Sequence, residues 1–315
     1  MPYSQALIFG SVAIDEVMSF PKTFAEFIDK DNLENLDISF VVPTLSQSFG
    51  GVGANISYNT SQLTKKPVYL LGAIGPDGQR IKKHLEKAGV DLKHLIEASN
   101  LYTSTWKAVF DSNQRMISTF YYGAAEKAKE INLEEISNHK ESLLLIGSNH
   151  KDGYLKKVQE AIDLQVDFIF DPGMTLTWID DTDLEKGSLN AKYLIANDYE
   201  MSQILKRLNK TISDFTSAGV KVITTMGEKG LVYEDKNQKI QLPAHPIPKF
   251  IDGTGAGDAF RGGFISSLLE DENLLKALIQ GSVAGSFAVE SVGGMNHNFD
   301  KNEFEKRRNY FENLL

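Results

Sequence analysis

The stretch IDGTGAGDAFRGGF, residues 251–264, gathers glycines around one carboxylate, Asp258, and then runs into an apolar, helix-like segment. Glycine loses more backbone entropy on ordering than any other residue, so such a stretch reads as a place where backbone must adopt special angles or approach something closely. A glycine-rich turn that opens a helix presents unpaired backbone N–H groups at the positive end of that helix, an anion site made without a basic side chain. An aspartate in the first turn shares that pocket. Phosphate donors beside a carboxylate are the parts needed to deprotonate a hydroxyl as it attacks a phosphoryl group. The stretch is not a Walker A loop, because no Gly-Lys-Ser/Thr follows. It is not the dinucleotide G-x-G-x-x-G either, which belongs after a first strand. The bland reading is an ordinary strand–turn–helix whose acid complements the macrodipole, and only the rest of the chain can separate the two.

The bulk numbers narrow the setting. The chain has 315 residues, 42% apolar and 24% charged, enough for one large α/β domain or a domain with an appendage. Net charge is −9 and no long basic block occurs, which argues against nucleic acid and against an anionic membrane surface as partners. The absence of cysteine excludes disulfides, thiolate nucleophiles and Cys zinc sites. The start, MPYSQALIFGSVAID, lacks the pattern of a signal peptide. No apolar run approaches the roughly 20 residues of a membrane span. The expected location is the cytoplasm.

Short apolar runs alternate with amphipathic ones. Strands are predicted at 6–10, 68–75, 143–147, 167–171, 193–196 and 220–225, apolar nearly throughout as in a sheet covered on both faces. Helices are predicted at 53–64, 77–88, 153–165 and 199–208, and over 255–269, 273–291 and 301–313 in the more helical C-terminal third. This alternation predicts an α/β fold with a doubly wound, mostly parallel sheet. Two regions break it. Residues 11–20 and 37–46 read as strands without a helix of normal length between them, and 103–122 as a hairpin around the turn DSNQ. Together they predict a small inserted β-sheet, of the kind that acts as a lid. Within 281–294, Gly281, Ala284, Gly285 and Ala288 fall in one helical band that allows close approach of a helix or a flat ligand.

The order of the motifs is specific. DGTGAGDAFRGGF closely resembles the C-terminal signature of the ribokinase/PfkB family of sugar and nucleoside kinases, roughly D-T-x-G-A-G-D-x-F-x-G-G-F, with Gly253 in place of the usual Thr or Ser. GSVAID (10–15) resembles the segment whose aspartate binds sugar hydroxyls. GGVGAN (50–55) resembles the G-G-x-x-x-N substrate motif, NDYE (197–200) resembles N-x-x-E, and TMGEKG (225–230) resembles the strand-end T-x-G-x-x-G on the nucleotide side. The likeness spans nearly the whole chain and implies a single three-layer αβα ribokinase-like kinase domain over 1–315 with a lid.

The resemblance assigns roles. Asp258 is the expected base, and the N–H groups of Gly255, Ala256 and Gly257 are expected to stabilise charge on the moving phosphoryl group. Asp15, an acceptor-only carboxylate, is expected to take hydrogen bonds from two adjacent ribose hydroxyls. Gly50 and Gly51 would let backbone approach the sugar, and Asn55 would donate to a sugar hydroxyl or simply serve the helix start. Asn197 and Glu200 would act through water on Mg²⁺, although NDYE is also a plausible helix cap. Thr225, Gly227 and Gly230 would face the nucleotide, since ligands of such sheets bind at the carboxyl ends of strands. Residues 282–294 are a candidate flank for adenine. Trp106, Phe120, Tyr121 and Tyr122 read as packing residues or, in a lid, as stacking partners for a base. Arg261, one turn beyond Asp258, reads as the partner of that or another acid. The cofactors implied are ATP and Mg²⁺, with a monovalent cation allowed. A homodimer through the lid is expected, because an exposed small sheet needs its edges covered.

The acceptor is the least specified part. DAFRGGF with its Arg, GGVGANISYNTSQL and FDPGMTLTW (170–178) resemble adenosine-kinase-like members of bacteria and archaea, which favours adenosine or another nucleoside. A kinase of ribose or a related free sugar is the alternative. A non-catalytic sensor on the same fold would be expected to have lost the base or the anion loop, and both are intact.

Overall fold

The computed structural model describes residues 3–28, 34, 37–312 and 314. The strands in chain order are β1 (Gln5–Phe9), β2 (Ala13–Ser19), β3 (Thr44–Gly50), β4 (Val68–Leu71), β5 (Ala73–Ile74), β6 (Ile96–Glu97), β7 (Ser104–Phe110), β8 (Met116–Tyr121), β9 (Ser142–Ile146), β10 (Phe168–Phe170), β11 (Tyr193–Asn197), β12 (Lys221–Thr225), β13 (Leu231–Glu234) and β14 (Lys239–Leu242). The helices are α1 (Val52–Ser61), α2 (Gln79–Lys87), α3 (Lys151–Asp163), α4 (Asp181–Asn190), α5 (Asp198–Leu208), α6 (Ile212–Ser217), α7 (Ala256–Leu269), α8 (Leu274–Ala288) and α9 (Lys301–Glu312).

The main sheet has eight strands in the order β14-β13-β12-β11-β10-β9-β1-β4. Strands β12 through β4 in that order run parallel, and β13 and β14 add an antiparallel end. Strand alternation divides the apolar residues between two faces. Ala6, Ile8, Leu143, Leu145 and Ile195 join a core beneath α1, α7, α8 and α9. Leu7, Phe9, Leu144, Ile146 and Leu194 join a second core beneath α3, α4, α5 and α6. The three layers follow from that division, and every parallel strand is buried on both sides, as its near-continuous apolar sequence requires.

The small inserted sheet has four strands in the order β3-β2-β7-β8. The hairpin predicted at 103–122 is β7 and β8. The strand predicted at 37–46 lies instead at Thr44–Gly50. Its apolar lead, FVV, ends at Pro43, which has no N–H for a ladder, and Val41 is exposed; residues 35 and 36 just before it lie outside the described residues. The polar run LSQSF, an unpromising strand by composition, forms the ladder because each residue meets one of β2, from Ala13 with Gly50 to Ser19 with Thr44. The run 68–75 breaks at Gly72, where a Cβ would lie 3.0 Å from the Gly10 carbonyl oxygen. Its second half, β5, leaves the main sheet to pair with β6. Strands β13 and β14 were not anticipated. Their turn is built by Asp235, whose carboxylate accepts the N–H groups of Asn237 and Gln238.

Candidate active site

The carboxyl ends of the parallel strands collect the predicted residues on one edge. Chain leaving β1 carries Gly10 and Ser11, chain leaving β10 carries Asp171, β11 ends at Asn197 and β12 at Thr225. This is where ligands bind in open α/β sheets.

Asp258 lies in the first turn of α7, whose N-cap is Gly255 at φ 79°. Glycine is required there twice over: that angle is left-handed, and a Cβ would lie 2.4 Å from Cα of Gly294. The N–H groups of Gly257 and Asp258 have no acceptor among the described residues, as befits a helix start. The Ala256 N–H is partly occupied, donating to the Gly253 carbonyl at 3.3 Å. Ahead of the turn, the Asp252 carboxylate accepts the N–H groups of Thr254 and Gly293, both at 2.9 Å, which ties the glycine loop to the chain following α8.

Asn55 departs from its first expected role. Its Nδ2 donates to Oδ2 of Asp258 at 2.7 Å, and its Oδ1 is buried without a partner, leaving one acceptor open for a hydroxyl. Asn55 is placed by α1, which starts after Gly51 at φ 91°. The side chain of Asn59, one turn on, donates to the Asn55 and Gly294 carbonyls, and so locks α1 to the loop that packs on Gly255.

Asp15 stands on β2 opposite Ser48 on one side and Trp106 on the other. A Cβ on Gly50 would lie 2.1 Å from its Oδ2, so the glycine makes room for this carboxylate as well as for a ligand. Trp106 pairs with Phe120, so both share the Asp15 face of the lid sheet, and Phe120 packs edge-on against Tyr122. Tyr121 takes the opposite face. There a cleft of about 730 Å³ is lined by Ile14, Glu16, Phe49, Lys107 and Tyr121, together with Arg80 from α2.

Asn197 and Glu200 form a reciprocal capping box at the start of α5: Asn197 Oδ1 accepts the Glu200 N–H and Glu200 Oε2 accepts the Asn197 N–H. Glu200 Oε1 is left as the free acceptor. Asn197 sits directly beside Thr225 in the β11–β12 register. Gly230 at φ 88° is demanded by packing, since a Cβ would lie 2.0 Å from the Leu242 carbonyl oxygen, whereas Gly227 faces open space. The small-residue band of α8 meets a helix: a Cβ on Gly281 would strike Phe260 of α7, and Gly285 lies against Ala256. Within the segment 282–294, the part beyond Ala288 wraps the glycine loop, with Val289 accepting the N–H groups of Ile251 and Asp252.

Electrostatics join these pieces. Asp258 is raised to about 6: burial, and to a lesser degree Asp15 and Glu200, push it up against the pull of Arg261 and the Asn55 bond. Burial likewise raises Asp15 to about 6. Asp258 thus feels the charges of Asp15 and Glu200, and Asp171 those of Glu200 and Asp258, with Arg261 as the cation that offsets Asp171 and Asp258. Sequence reasoning assigned no site role to Asp171, a buried carboxylate in the quoted FDPG run. Its signal was an acid at the end of an apolar strand. The arrangement offers an ionisable oxygen beside free backbone N–H donors, with further carboxylates able to grip hydroxyls.

Comparison with known proteins identifies the family and the fold. Residues 11–301 match the model of the pfkB family carbohydrate kinases. The chain is 28% identical over 257 residues to a nucleoside kinase of Methanocaldococcus jannaschii, covering 81% of this chain and 83% of that protein. It is 23% identical over 260 residues to a ribokinase of Lactococcus lactis, covering 78% and 80%. Its fold superposes on the nucleoside kinase of Burkholderia thailandensis in complex with inosine with a TM-score of 0.85 at 27% identity, covering 97% of both chains. Mixed central sheet, flanking helices and small separate sheet are common to both, the ribokinase-like fold. The chain belongs to the pfkB family of carbohydrate kinases, phosphotransferases that act on an alcohol group.

Proposed function

We propose that this protein transfers the γ-phosphoryl group of ATP to the 5′-hydroxyl of adenosine or another nucleoside. The observation that carries this reading is Asp258 at the start of α7, beside the unpaired N–H groups of Gly257 and Asp258 itself and bonded by Asn55. Asp258 takes the proton of the acceptor hydroxyl, and the N–H donors, with those of Gly255 and Ala256, stabilise charge on the phosphoryl group in flight. The long donation of Ala256 to Gly253 is weak enough to be exchanged for a phosphate oxygen. Asp15 holds the ribose hydroxyls, with Gly50 and Gly51 bringing backbone close. The open Oδ1 of Asn55 accepts from the acceptor. The nucleotide lies along Thr225, Gly227 and the chain beyond Ala288.

Mg²⁺ fits the donor set as the counterion of the phosphates. Among the described residues no three His, Cys, Asp or Glu side chains are grouped to hold a metal directly. The ion would thus be carried mainly by phosphate oxygens and water, with Glu200 Oε1 and Asn197 reaching its waters. It supplies charge neutralisation on the β and γ oxygens. The single-domain organisation, the cytoplasmic location and a homodimer joined through the lid belong to the same proposal. The cleft bearing Ile14, Phe49 and Tyr121 is the surface offered to a second lid. No helix among the described residues is long and apolar enough to cross a membrane.

A nucleoside is favoured over a free sugar because Trp106 and Phe120 lie on the Asp15 face of the lid, where a base attached to the bound ribose would stack. Similarity to the nucleoside kinases also exceeds that to the ribokinase. The test is ADP release with ATP and Mg²⁺ against adenosine, inosine, guanosine, cytidine, ribose, fructose and fructose 6-phosphate. Turnover of nucleosides alone supports the proposal. Preference for ribose leaves the Asp258 chemistry in place and moves the protein to the ribokinase reading.

A further inference from the structure

Arg261 is almost wholly buried, at 6% exposure. Nη2 donates to Asp171 Oδ1 at 2.8 Å, and Nε lies 2.6 Å from Asp171 Oδ2 in an ion-pair contact that lacks hydrogen-bond geometry. Nη1 donates to the Gly257 carbonyl at 3.0 Å, and Nη2 also reaches the Ile195 carbonyl at 3.5 Å. The side chain folds back toward the start of its own helix, as long side chains on helices do. One residue thereby binds the first turn of α7 to the chain leaving β10 and to the middle of β11. The carbonyl it holds belongs to the peptide linking Gly257 to Asp258. Fixing that carbonyl fixes the plane of the peptide, the direction of the Asp258 N–H on its other side, and the root of the Asp258 side chain.

The two partners are neighbours only in the fold. Each lies in a run whose sequence leaned toward nucleoside kinases, FDPG and DAFRGGF, and the structure makes them a single contact. A buried arginine among the charges of Asp171, Asp258 and Glu200 is costly to maintain for stability alone, since buried ion pairs often yield no net stabilisation. We propose that Arg261, clamped by Asp171, is a positioning residue for phosphoryl transfer: it orients the Gly257–Asp258 peptide, and with it the loop donors and the base. The inference rests on the reading of Asp258 as base. Lysine cannot reproduce it, because an ammonium has no planar fork to span Asp171 and the Gly257 carbonyl together.

The test compares Asp258→Asn, Arg261→Lys, Arg261→Gln and Asp171→Asn in full-length protein, by steady-state kinetics with ATP and adenosine and by thermal melting. Misplacement of reacting groups by about 1 Å lowers rate by about 100-fold. Arg261→Gln is expected to lower kcat by roughly 30- to 100-fold with both KM values within about threefold of wild type. Arg261→Lys should rescue less than about a tenth of that loss, and Asp171→Asn should lower kcat by about tenfold. A role in stability alone would lower kcat only as far as the folded fraction falls. Arginine and Asp171 variants that keep wild-type kcat while Asp258→Asn is inactive overturn the positioning role and spare the function. Losses that follow the melting curve, or an Arg261→Lys variant at full rate, also overturn it. Asp258→Asn at near-wild-type rate overturns the functional reading itself. Should Arg261→Gln not fold, the Lys and Asp171 variants decide on the same criteria.

Discussion

Asn55 of α1 donates a 2.7 Å hydrogen bond to the Asp258 carboxylate at the start of α7. A neutral donor to the charged form of an acid favours that form, so the bond holds Asp258 lower than burial alone would. Asn55→Ala should therefore cut kcat by about tenfold at pH 7 and move the acidic limb of the kcat/KM profile upward. Asn55→Asp, which sets a like charge beside the base, should do more. A profile for Asn55→Ala that overlays wild type would show the bond to be idle.

The pH dependence of the free protein follows from the same acids. Burial raises Asp258 and Asp15 to about 6. A base must be ionised to act, so kcat/KM should fall on the acid side with a midpoint near pH 6. The sign for stability is opposite. An acid whose folded pKa exceeds its unfolded value stabilises the fold fully below the unfolded value, and that contribution disappears as pH rises through about 6. At pH 7 the ionised Asp258 is a destabilising element. Asp258→Asn should raise Tm by roughly 2 °C or more at pH 7 and by little at pH 4.5, measured by calorimetry without ligands. A lower Tm at pH 7 would contradict this.

Gly50→Ala tests the seat of Asp15. The added Cβ would lie 2.1 Å from Oδ2, so the carboxylate must turn away. The acceptor KM should rise by more than about tenfold while the KM for ATP stays near its original value. Equal changes in both would mean that the substitution disturbs the loop as a whole.

Trp106→Ala separates base recognition from sugar recognition. It removes a ring on the Asp15 face of the lid without touching the main sheet. Loss of one base–aromatic stack is worth about 1–3 kcal/mol. The nucleoside KM should rise by roughly 10-fold, and any turnover of ribose should be unaffected. An unchanged nucleoside KM would make Trp106 a packing residue.

The parallel strands were legible because a sheet covered on both faces demands uninterrupted apolar runs, and LIF, LLLI and FIF supply them. The glycine loop was legible because its chemistry is local: turn, donors and acid lie within a few residues. What escaped depended on partners remote in sequence. LSQSF became a strand through its pairing with β2, which no local pattern announces. The bond from Asn55 to Asp258 was not legible because nothing in GGVGAN reveals Asp258 across the fold. Asp171 had no role in the sequence reading, because its partner Arg261 lies 90 residues away along the chain. Gly230 looked like a nucleotide contact, whereas the chain leaving β14 alone is enough to require it.

The lid sheet is tied to the body along one edge: Ala13, Gly50 and Ser104 lie level with one another, and Tyr121 is one position away. Among the described residues, its far end, at Ser19, Thr44, Phe110 and Met116, pairs only within the small sheet. It is a cantilever. For a given tilt at the root, Asp15, two residues out, travels least, and the tip travels most. The ribose grip proposed for Asp15 would thus stay stiff while the outer span bends. Insertions and side-chain changes toward the tip can then alter which molecules are admitted without disturbing the reacting atoms, a division of labour through which one scaffold can diversify its diet.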